Sequence, residues 1–507
     1  MPVHVTIDGA SLTPESVAWV ARDLASVGLD PAARARMEVS LAWIRGAVES
    51  GLPVYGVNTG YGSLARVRIP RDKIEALSMN LVRSHAAGVG PPLGTDAVRG
   101  MMLLRANALA KGVSGCRPAL VETLLAMLDR QVTPEIPSRG SCGSSGDLAP
   151  LSHLGLVLFG GPEADSGTAW YAGERLPGAV AMARAGIERL VPGPKEGLAI
   201  TNGAQLTTAL TALAVVDARA LLADAVIASA LSHEALRAVT RSLHPAVHAL
   251  RPYPGARKCA ADLLRLLAGS VLVDSLPGKV QDAYSLRCTP PVLGAVHDAW
   301  RYVEKQVSYE INAVTDNPVI LLDADGENKA FSAGLFHGEP VGIAADHLRL
   351  ALCELGAISE RRTYRMTTEH LSQNKPDLGL MMAQVTAASL VAESRQSAWP
   401  ASADSIPTCE DQEDYVAMST TAARRLSEVV ANARRIVAIE LLTATRGVRL
   451  HGAPAPATAA AVEVIEAAIA GADTPGAAIE RVATALAAGS VRRAVESVIG
   501  PLEVANG

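Results

Sequence analysis

Apolar residues recur every three or four positions over most of the second half of the chain. This spacing predicts helices over six stretches: 204–250, 290–313, 341–368, 378–398, 416–448 and 457–498. Several of these stretches exceed the length of an ordinary globular helix, and no fixed-period repeat relates them. The pattern predicts a mainly α fold whose core is a bundle of long helices.

The first part of the chain has shorter and more varied elements. Residues 3–7 alternate between apolar and polar side chains, which is typical of a short strand, and helical spacing runs over 32–50. A hairpin is predicted around residues 172–173. We therefore expect a smaller mixed N-terminal region over 1–200, followed by the long-helix bundle over 201–507.

Composition narrows the class of protein. Hydrophobic residues make up 49% of the 507-residue chain and aromatic residues only 3%, so the interior must be aliphatic. The net charge of -5 speaks against a nucleic-acid partner. The six cysteines lack the paired spacing of a disulfide framework or a zinc site, so no metal is expected.

No membrane segment is expected either. The longest apolar run, 206–231, contains Asp217, Arg219 and Asp224, which are too many charges for a simple membrane span. The N-terminus lacks the basic and apolar blocks of a signal peptide. These features predict a cytoplasmic protein with no membrane partner.

Residues 140–155 read GSCGSSGDLAPLSHLG, and the first seven of them are all glycine, serine or cysteine. Asp147 and Pro150 are typical of the start of a helix. On the simplest interpretation the glycines form a turn, the serines cap it, and the helix end could bind an anion.

A second interpretation is chemical and concerns Ser144, Ser145 and Gly146. If the Gly146 amide nitrogen lies against the Ser144 carbonyl carbon, a five-membered ring can close. Loss of water and dehydration of Ser145 would then leave an exocyclic methylidene, an electrophile that ordinary side chains do not supply. Glycine suits the attacking position because it has no Cβ, and Ser144 would contribute only its carbonyl group.

The segment 143–153, GSSGDLAPLSH, resembles the signature of the aromatic amino acid ammonia-lyases and aminomutases. Members of that family carry a methylidene-imidazolone group made from Ala-Ser-Gly, and Ser144 stands here in place of the alanine. The resemblance extends over nearly the whole chain and is strongest to the histidine ammonia-lyases. It implies a largely helical fold, a methylidene-imidazolone formed from residues 144–146, no metal, and a homotetramer with shared active sites.

The loop 55–62, YGVNTGYG, resembles the inner loop of the same family. The resemblance gives Tyr55 the role of the base that removes the β-proton. Because a phenol has an ordinary pKa of roughly 10, the site would have to stabilise its ionised form. Taken alone, a tyrosine of this kind is more often a packing residue with its hydroxyl bonded to the backbone.

Ser84 and His85 occupy a position that governs substrate selectivity in the family. The pair resembles the histidine-specific branch, whereas phenylalanine and tyrosine enzymes tend to carry Phe-Leu or His-Leu there. An imidazole can exchange a hydrogen bond with an imidazole substrate that a benzene ring cannot. The alternative is a structural histidine near a helix end.

The remaining site residues are assigned by resemblance. Asn202 would bind the imidazolone, Gln281 and Tyr284 would support the site, Arg287 would hold the substrate carboxylate, Phe336 would contact the substrate, and Glu413 would lie near the imidazole and the amino group. Each also has a plainer interpretation. Asn202 could cap a helix, Arg287 could form a structural ion pair, and Glu413 could favour a helix N-terminus.

The sequence departs from the family pattern at a few further places. Leu335 stands where asparagine is common, Tyr415 replaces a histidine, and the segment 374–382 is shorter than in histidine ammonia-lyases. These changes concern the pocket and its rim more than ring formation.

The sequence therefore predicts an aromatic amino acid ammonia-lyase, with L-histidine as the expected substrate and trans-urocanate as the product. Two enzyme alternatives use the same electrophile, a 2,3-aminomutase and a tyrosine or phenylalanine ammonia-lyase. A third alternative is a non-catalytic helical relative that retains only the scaffold.

Overall fold

The computed structural model describes residues 3–62, 65–160, 166–370 and 378–502. Helices dominate it, as predicted. They are α1 (Pro14–Ala21), α2 (Pro31–Ser50), α3 (Ile74–His85), α4 (Thr95–Ala110), α5 (Pro118–Asp129), α6 (Leu148–Leu158), α7 (Gly178–Arg184), α8 (Glu196–Thr201), α9 (Gln205–Ala235), α10 (Pro245–Ala249), α11 (Pro254–Leu266), α12 (Tyr284–Arg287), α13 (Thr289–Glu310), α14 (Glu339–Arg365), α15 (Leu378–Gln396), α16 (Ser419–His451), α17 (Pro456–Ile469), α18 (Pro475–Ala487) and α19 (Ser490–Ile499).

The strands are short and form small separate sheets. They are β1 (His4–Ile7), β2 (Ser26–Leu29), β3 (Val89–Pro92), β4 (Thr133–Pro134), β5 (Pro137–Arg139), β6 (Thr168–Tyr171), β7 (Glu174–Pro177), β8 (Val319–Ile320) and β9 (Ala330–Phe331). Strand β1 pairs with β2 in parallel, whereas β3–β5, β4–β6, β6–β7 and β8–β9 are antiparallel. Most of these strands lie in the first 200 residues, where a mixed region was expected.

Local sequence explains where the elements begin and end. The Thr13 side chain accepts a hydrogen bond from the backbone of Ser16 and caps α1, with Pro14 in its first turn. Helix α2 ends at Gly51, whose φ of 73° is readily available only to glycine. The predicted hairpin is β6–β7, joined by Ala172 and Gly173, both with positive φ.

Two of the long helical predictions needed correction. The helix predicted over 204–250 ends at Ala235 and is followed by a 3-10 turn and the short α10. The stretch 457–498 was predicted as one helix but forms α17, α18 and α19. The breaks fall at Gly471, which has a φ of 69° and precedes Pro475, and at Gly489, which has a φ of 70°. Both breaks fall at glycines, which commonly end helices, and a proline begins the helix that follows the first break.

The chain divides into two compact units. The first comprises 1–213, 304–346 and 400–424, and the second comprises 214–303, 347–399 and 425–507. Each unit therefore combines segments that are distant in sequence. The boundary at residue 200 remains a prediction about sequence regions, since these units are defined by proximity and not by chain order.

Helix α4 packs against α1, α2 and α5 in the first unit and is buried along almost its entire length. Its Arg99 side chain donates to the carbonyls of Val20 and Leu128, at the C-terminal ends of α1 and α5. Carbonyls at helix ends lack partners within the helix, so a buried guanidinium is well suited to satisfy them. Two turns further on, Arg105 points its guanidinium at the candidate site.

No helix in the described ranges is both long and apolar enough to span a bilayer.

Candidate active site

The loop that carries residues 144–146, called the ring loop below, lies against a second turn that contains Gly203. Gly146 has a φ of 79° and forms a parallel bridge with Gly203. A Cβ atom on Gly146 would lie 2.2 Å from the carbonyl carbon of Gly203, so only glycine fits there. The backbone N–H of Asp147 donates to the Gly203 carbonyl at 2.8 Å. The two turns are therefore held in close contact at the point where ring closure would take place.

The Asp147 side chain anchors this loop to neighbouring helices. Its fully buried carboxylate accepts hydrogen bonds from the backbone and hydroxyl of Thr207, from the hydroxyl of Thr420 and from that of Ser141. Burial raises the pKa of Asp147 above its ordinary value, although these donors oppose the shift. Asp147 was predicted only to start a helix. In the structure it precedes α6, but its side chain ties the loop to α9 and α16 instead of capping α6.

Glu413 lies directly on the serine pair. Its Oε1 accepts a hydrogen bond from Ser145 Oγ at 2.5 Å, and its Oε2 accepts from Ser144 Oγ at 2.8 Å. Burial alone would raise the pKa of Glu413, but the hydroxyl donors of Ser145, Ser144 and Thr408 outweigh it and lower the pKa below its ordinary value. Glu413 therefore belongs to a turn beside the ring loop, and the alternative of a helix N-terminus is wrong, because α16 begins only at Ser419.

The loop that carries Tyr55 is fixed at its base. Val54 and Val57 are buried in an apolar cluster with Ile44. The Tyr55 hydroxyl accepts a hydrogen bond from the backbone N–H of Gly62 at 3.1 Å. The adjacent Gly56 packs so closely on α8 that a Cβ would lie 2.5 Å from a methyl carbon of Leu198. Helix α8 leads directly into Asn202.

Ser84 and His85 end α3, which packs against α6 and α8. Nδ1 of His85 lies 2.9 Å from both the Leu81 carbonyl and the Ser84 hydroxyl. A proton on Nδ1 would donate to the carbonyl and leave Nε2 as an acceptor. The Ser84 hydroxyl bonds to the same carbonyl. Pairing of β3 with β5 brings the end of α3 to the ring loop, where Gly140 approaches the backbone of Gly88.

Asn202 follows the last residue of α8 and precedes Gly203. Its side-chain Oδ1 is buried without a hydrogen-bond partner among the described residues. It does not cap the start of a helix, which was the plainer interpretation, because it lies at the C-terminal end of α8. Its own carbonyl accepts a hydrogen bond from Arg105, whose guanidinium also reaches the carbonyl of Thr315.

A buried ion pair supports the start of α8. The Lys195 ammonium lies 3.0 and 2.8 Å from the two carboxylate oxygens of Asp316, and both side chains are almost fully buried. Lys195 also has a φ of 71°, which is unusual for a residue with a side chain. This pair fixes the segment between α7 and α8 from which the Asn202 turn extends.

We expect Lys195→Met to lower the free energy of unfolding by about 3–5 kcal/mol, because it leaves the Asp316 carboxylate buried without its main partner. Thermal unfolding followed by circular dichroism measures the effect. The double variant Lys195→Met/Asp316→Leu should recover a large part of the loss. Equal melting temperatures for Lys195→Met and the unmodified protein would contradict this account.

The segment with Phe336 also contacts the ring loop. The backbone N–H of Gly338 donates to the Gly143 carbonyl at 3.0 Å, so Phe336, which is half-buried, lies close in sequence to that contact. The His337 ring stacks on Tyr415, with centroids 6.1 Å apart. Leu335 is 46% exposed. Of the shortened segment 374–382, residues 374–377 lie outside the described residues.

Gln281, Tyr284 and Arg287 belong to the second unit. The Arg287 guanidinium lies over the Tyr284 ring, 4.7 Å from its centroid, and its Nε is buried without a partner among the described residues. Arg287 lines a cavity of about 440 Å³ together with Arg251 and Tyr253. Gln281 and Tyr284 are exposed.

The first unit thus contains most of the predicted site: the ring loop, Glu413, Asn202, the Tyr55 loop, the end of α3 and the Phe336 segment. Sequence reasoning missed Thr207, Thr408 and Thr420. No local signal could have indicated Thr207 and Thr420, since hydroxyl residues are common in helices and their partner Asp147 lies far away in the sequence. Thr408 lies only five residues before its partner Glu413, in a turn that the sequence analysis did not predict. Within the described ranges, no group of three or more His, Cys, Asp or Glu is arranged to hold a metal ion.

Comparison with known proteins identifies the family. The sequence profile of the aromatic amino acid lyases matches residues 12–468. The chain belongs to this family. The prediction of the family and that of a carbon–nitrogen lyase are therefore confirmed, and so is the mainly helical fold.

Relatives and solved structures match along nearly the full length. The histidine ammonia-lyase of Gloeobacter violaceus is 44% identical over 515 residues, covering 98% of this chain and 99% of that protein. The structure of histidine ammonia-lyase from Trypanosoma cruzi has a TM-score of 0.90 at 36% identity, covering 99% of this chain and 96% of that one. Tyrosine aminomutase from Streptomyces globisporus has a TM-score of 0.91 at 34% identity, covering 99% and 100%.

Proposed function

We propose that this lyase eliminates ammonia from L-histidine to give trans-urocanate, using a methylidene-imidazolone formed from Ser144, Ser145 and Gly146. The observation that carries the proposal is the position of the Glu413 carboxylate on the hydroxyls of Ser144 and Ser145. It puts an acceptor suited to an imidazole N–H next to the serine whose dehydration would create the electrophile. The names of relatives that match along most or all of the chain support the choice of histidine.

The residues present fit the prosthetic group. Gly146 has no Cβ to obstruct closure, and its contact with Gly203 holds the loop tightly folded. The partnerless amide oxygen of Asn202 marks a buried polar position beside this contact, and a half-turn of the amide can present a donor there instead. Once formed, the group would supply an electrophile able to capture an amine and make it a better leaving group.

Formation of the ring needs only atoms of the chain. The Gly146 nitrogen bonds to the Ser144 carbonyl carbon, and the carbonyl oxygen leaves as water with the amide hydrogens of Gly146 and Ser145. The Ser145 hydroxyl then leaves as a second water with the hydrogen from Cα, which creates the Cα=Cβ double bond. No oxidant is consumed, and the Ser144 side chain is unchanged.

The proposed roles of the other residues follow from their chemistry. Tyr55 removes the β-proton, and the N–H of Gly62 holds its hydroxyl in place. His85, with Ser84 beside it, exchanges a hydrogen bond with the imidazole, and Phe336 packs on the substrate. Glu413 binds the imidazole or the amino group.

We propose that Arg287 holds the substrate carboxylate, supported by Gln281 and Tyr284, and that the enzyme is a cytoplasmic homotetramer with sites shared between subunits. Exposed apolar side chains recur at seven-residue spacing on two long helices, namely Tyr302 and Tyr309 on α13 and Ile343 and Leu350 on α14. Such faces favour burial against another chain. Light scattering on the purified protein tests the tetramer.

Replacing Tyr55 with phenylalanine should lower kcat for histidine by about 10²–10⁴-fold, the usual contribution of a general base. Urocanate formation followed by absorbance measures the loss, and the intact mass should show the prosthetic group unchanged. Tyr61→Phe is the matched control and should cost less than about tenfold, because burial, with the Tyr55 charge, raises the pKa of Tyr61 well above its ordinary value and keeps it neutral. A Tyr55→Phe enzyme with full activity would exclude this tyrosine as the base.

The likeness to the tyrosine aminomutase structure favours one alternative, a 2,3-aminomutase. Incubation with histidine, tyrosine and phenylalanine separately, followed by product analysis, distinguishes the possibilities. Urocanate as the main product supports the proposal. A β-amino acid would indicate an aminomutase, and coumarate or cinnamate would indicate a tyrosine or phenylalanine lyase.

A further inference from the structure

The Ser144 hydroxyl makes a contact that alanine, the usual residue at this position by resemblance, could not make. It is almost fully buried and donates to Oε2 of Glu413 at 2.8 Å. Thr408 donates to the same oxygen at 2.8 Å, whereas Ser145 donates to Oε1 at 2.5 Å. One carboxylate oxygen therefore has two hydroxyl donors and the other has one.

The backbone around Glu413 is held in a strained turn. Thr408 and Glu413 pair as an antiparallel bridge, with hydrogen bonds of 2.9 and 3.3 Å. Between them Cys409, Glu410 and Asp411 all have φ values of 53–62°, a conformation that residues with side chains seldom adopt. Three such residues in succession persist only where the surroundings hold them. The turn therefore brings the carboxylate to one defined place.

Ring formation changes the donors of the two oxygens unequally. The Ser145 hydroxyl leaves as water, so Oε1 of Glu413 loses its hydroxyl donor. The Ser144 hydroxyl takes no part in the chemistry, so Oε2 keeps both donors. We propose, on the basis of the function proposed above, that Ser144 is a positioning residue that fixes Oε2 of Glu413 and thereby presents Oε1 as an ionised acceptor to a ring N–H of the substrate.

This arrangement favours a class of substrate. A carboxylate oxygen that has lost its hydroxyl donor in a half-buried site gains most from a ligand that brings an N–H, as an imidazole does and a phenyl ring does not. With alanine at position 144, Oε2 would keep one hydroxyl donor, Thr408, in place of two, and the carboxylate could turn away. Ser144 thus adds selectivity for ring N–H donors to the site.

The first test is the pH dependence of Ser144→Ala. Since Ser144 donates to the ionised carboxylate, its loss should raise the Glu413 pKa and move the acid limb of kcat/KM for histidine to higher pH. The titratable groups facing Glu413 among the described residues are the thiols of Cys142 and Cys409. Burial, and then the Glu413 charge, raises the pKa of both, so they stay neutral in that range.

We expect Ser144→Ala to lower kcat/KM about tenfold at neutral pH, the scale of one hydrogen bond to a charged group. Ser144→Thr keeps a hydroxyl at this position, so its kcat/KM and the pH of its acid limb should match those of the unmodified protein. Ser497→Ala, at an exposed position on α19, is the control for protein preparation. Its kcat/KM and acid limb should match those of the unmodified protein. Intact mass should show both waters lost in every one of these variants.

The second test does not use activity. Ser145→Ala cannot form the methylidene and lacks the Ser145 hydroxyl, so it reproduces the hydroxyl donors left on Glu413 after maturation. Calorimetry should find histidine binding to Ser144→Ala/Ser145→Ala about tenfold weaker than to Ser145→Ala.

Equal affinities in that pair, together with an unmoved acid limb in Ser144→Ala, would overturn the inference. So would a Ser144→Ala protein that retains its encoded mass, because the side chain would then be needed for ring closure. Failure of the proposed function itself would appear in the unmodified protein, as an encoded mass or an absence of urocanate.

Discussion

Replacing Ser145 with alanine should leave the protein folded but lower kcat for histidine by roughly three orders of magnitude or more, the scale of losing a group that performs the chemistry. The Ser145 hydroxyl is the proposed leaving group in the step that creates the methylidene carbon, and alanine has none to lose. Urocanate formation and circular dichroism measure activity and folding on the same sample.

Two features make the Ser145→Ala result specific. Its intact mass should show that the methylidene is missing, whereas Ser497→Ala should show the same mass loss as the unmodified protein. Retention of substantial activity by Ser145→Ala would mean that the electrophile does not arise from this residue.

Gly146→Ala should prevent ring formation and also destabilise the loop. The added Cβ would lie 2.2 Å from the Gly203 carbonyl carbon and 2.4 Å from its oxygen, so the two turns would have to separate. Separation breaks the contact between Asp147 and Gly203. We expect the Gly146→Ala protein to have the full mass that its own sequence encodes, with no water lost. It should lose activity as fully as Ser145→Ala and melt at a lower temperature than the unmodified protein.

Gly173→Ala is the matched control for Gly146→Ala. Gly173 has a φ of 81°, close to the 79° of Gly146, but a Cβ there meets nothing within 4 Å. It should cost only about 1–2 kcal/mol of strain and leave ring formation intact. If both variants behaved alike, backbone conformation would explain the effect and the close contact with Gly203 would not.

Much of the fold could be predicted because it is encoded locally. The long helices follow from apolar spacing, and the hairpin at residues 172–173 follows from its turn. The error at 457–498 arose because periodic spacing outweighed Gly471 and Gly489, although both are ordinary helix ends. Apolar periodicity alone does not show where one helix ends and the next begins when the same spacing continues across the break.

The candidate site was predictable only in part. Resemblance indicated the ring loop, Tyr55 and Glu413, but the contact of Glu413 with both serines depends on a turn more than 260 residues away in the sequence. The role of Asp147 was missed for the same reason. Its partners Thr207 and Thr420 lie in two other helices, and only the folded chain brings their hydroxyls together.

The intact mass of the purified, unmodified protein tests the central claim most directly, because closure of the ring and formation of the methylidene each remove one water from residues 144–146. We predict a mass lower than the encoded mass by two waters, lost within the peptide that contains this loop. An active protein with the full encoded mass in that peptide would contradict the account.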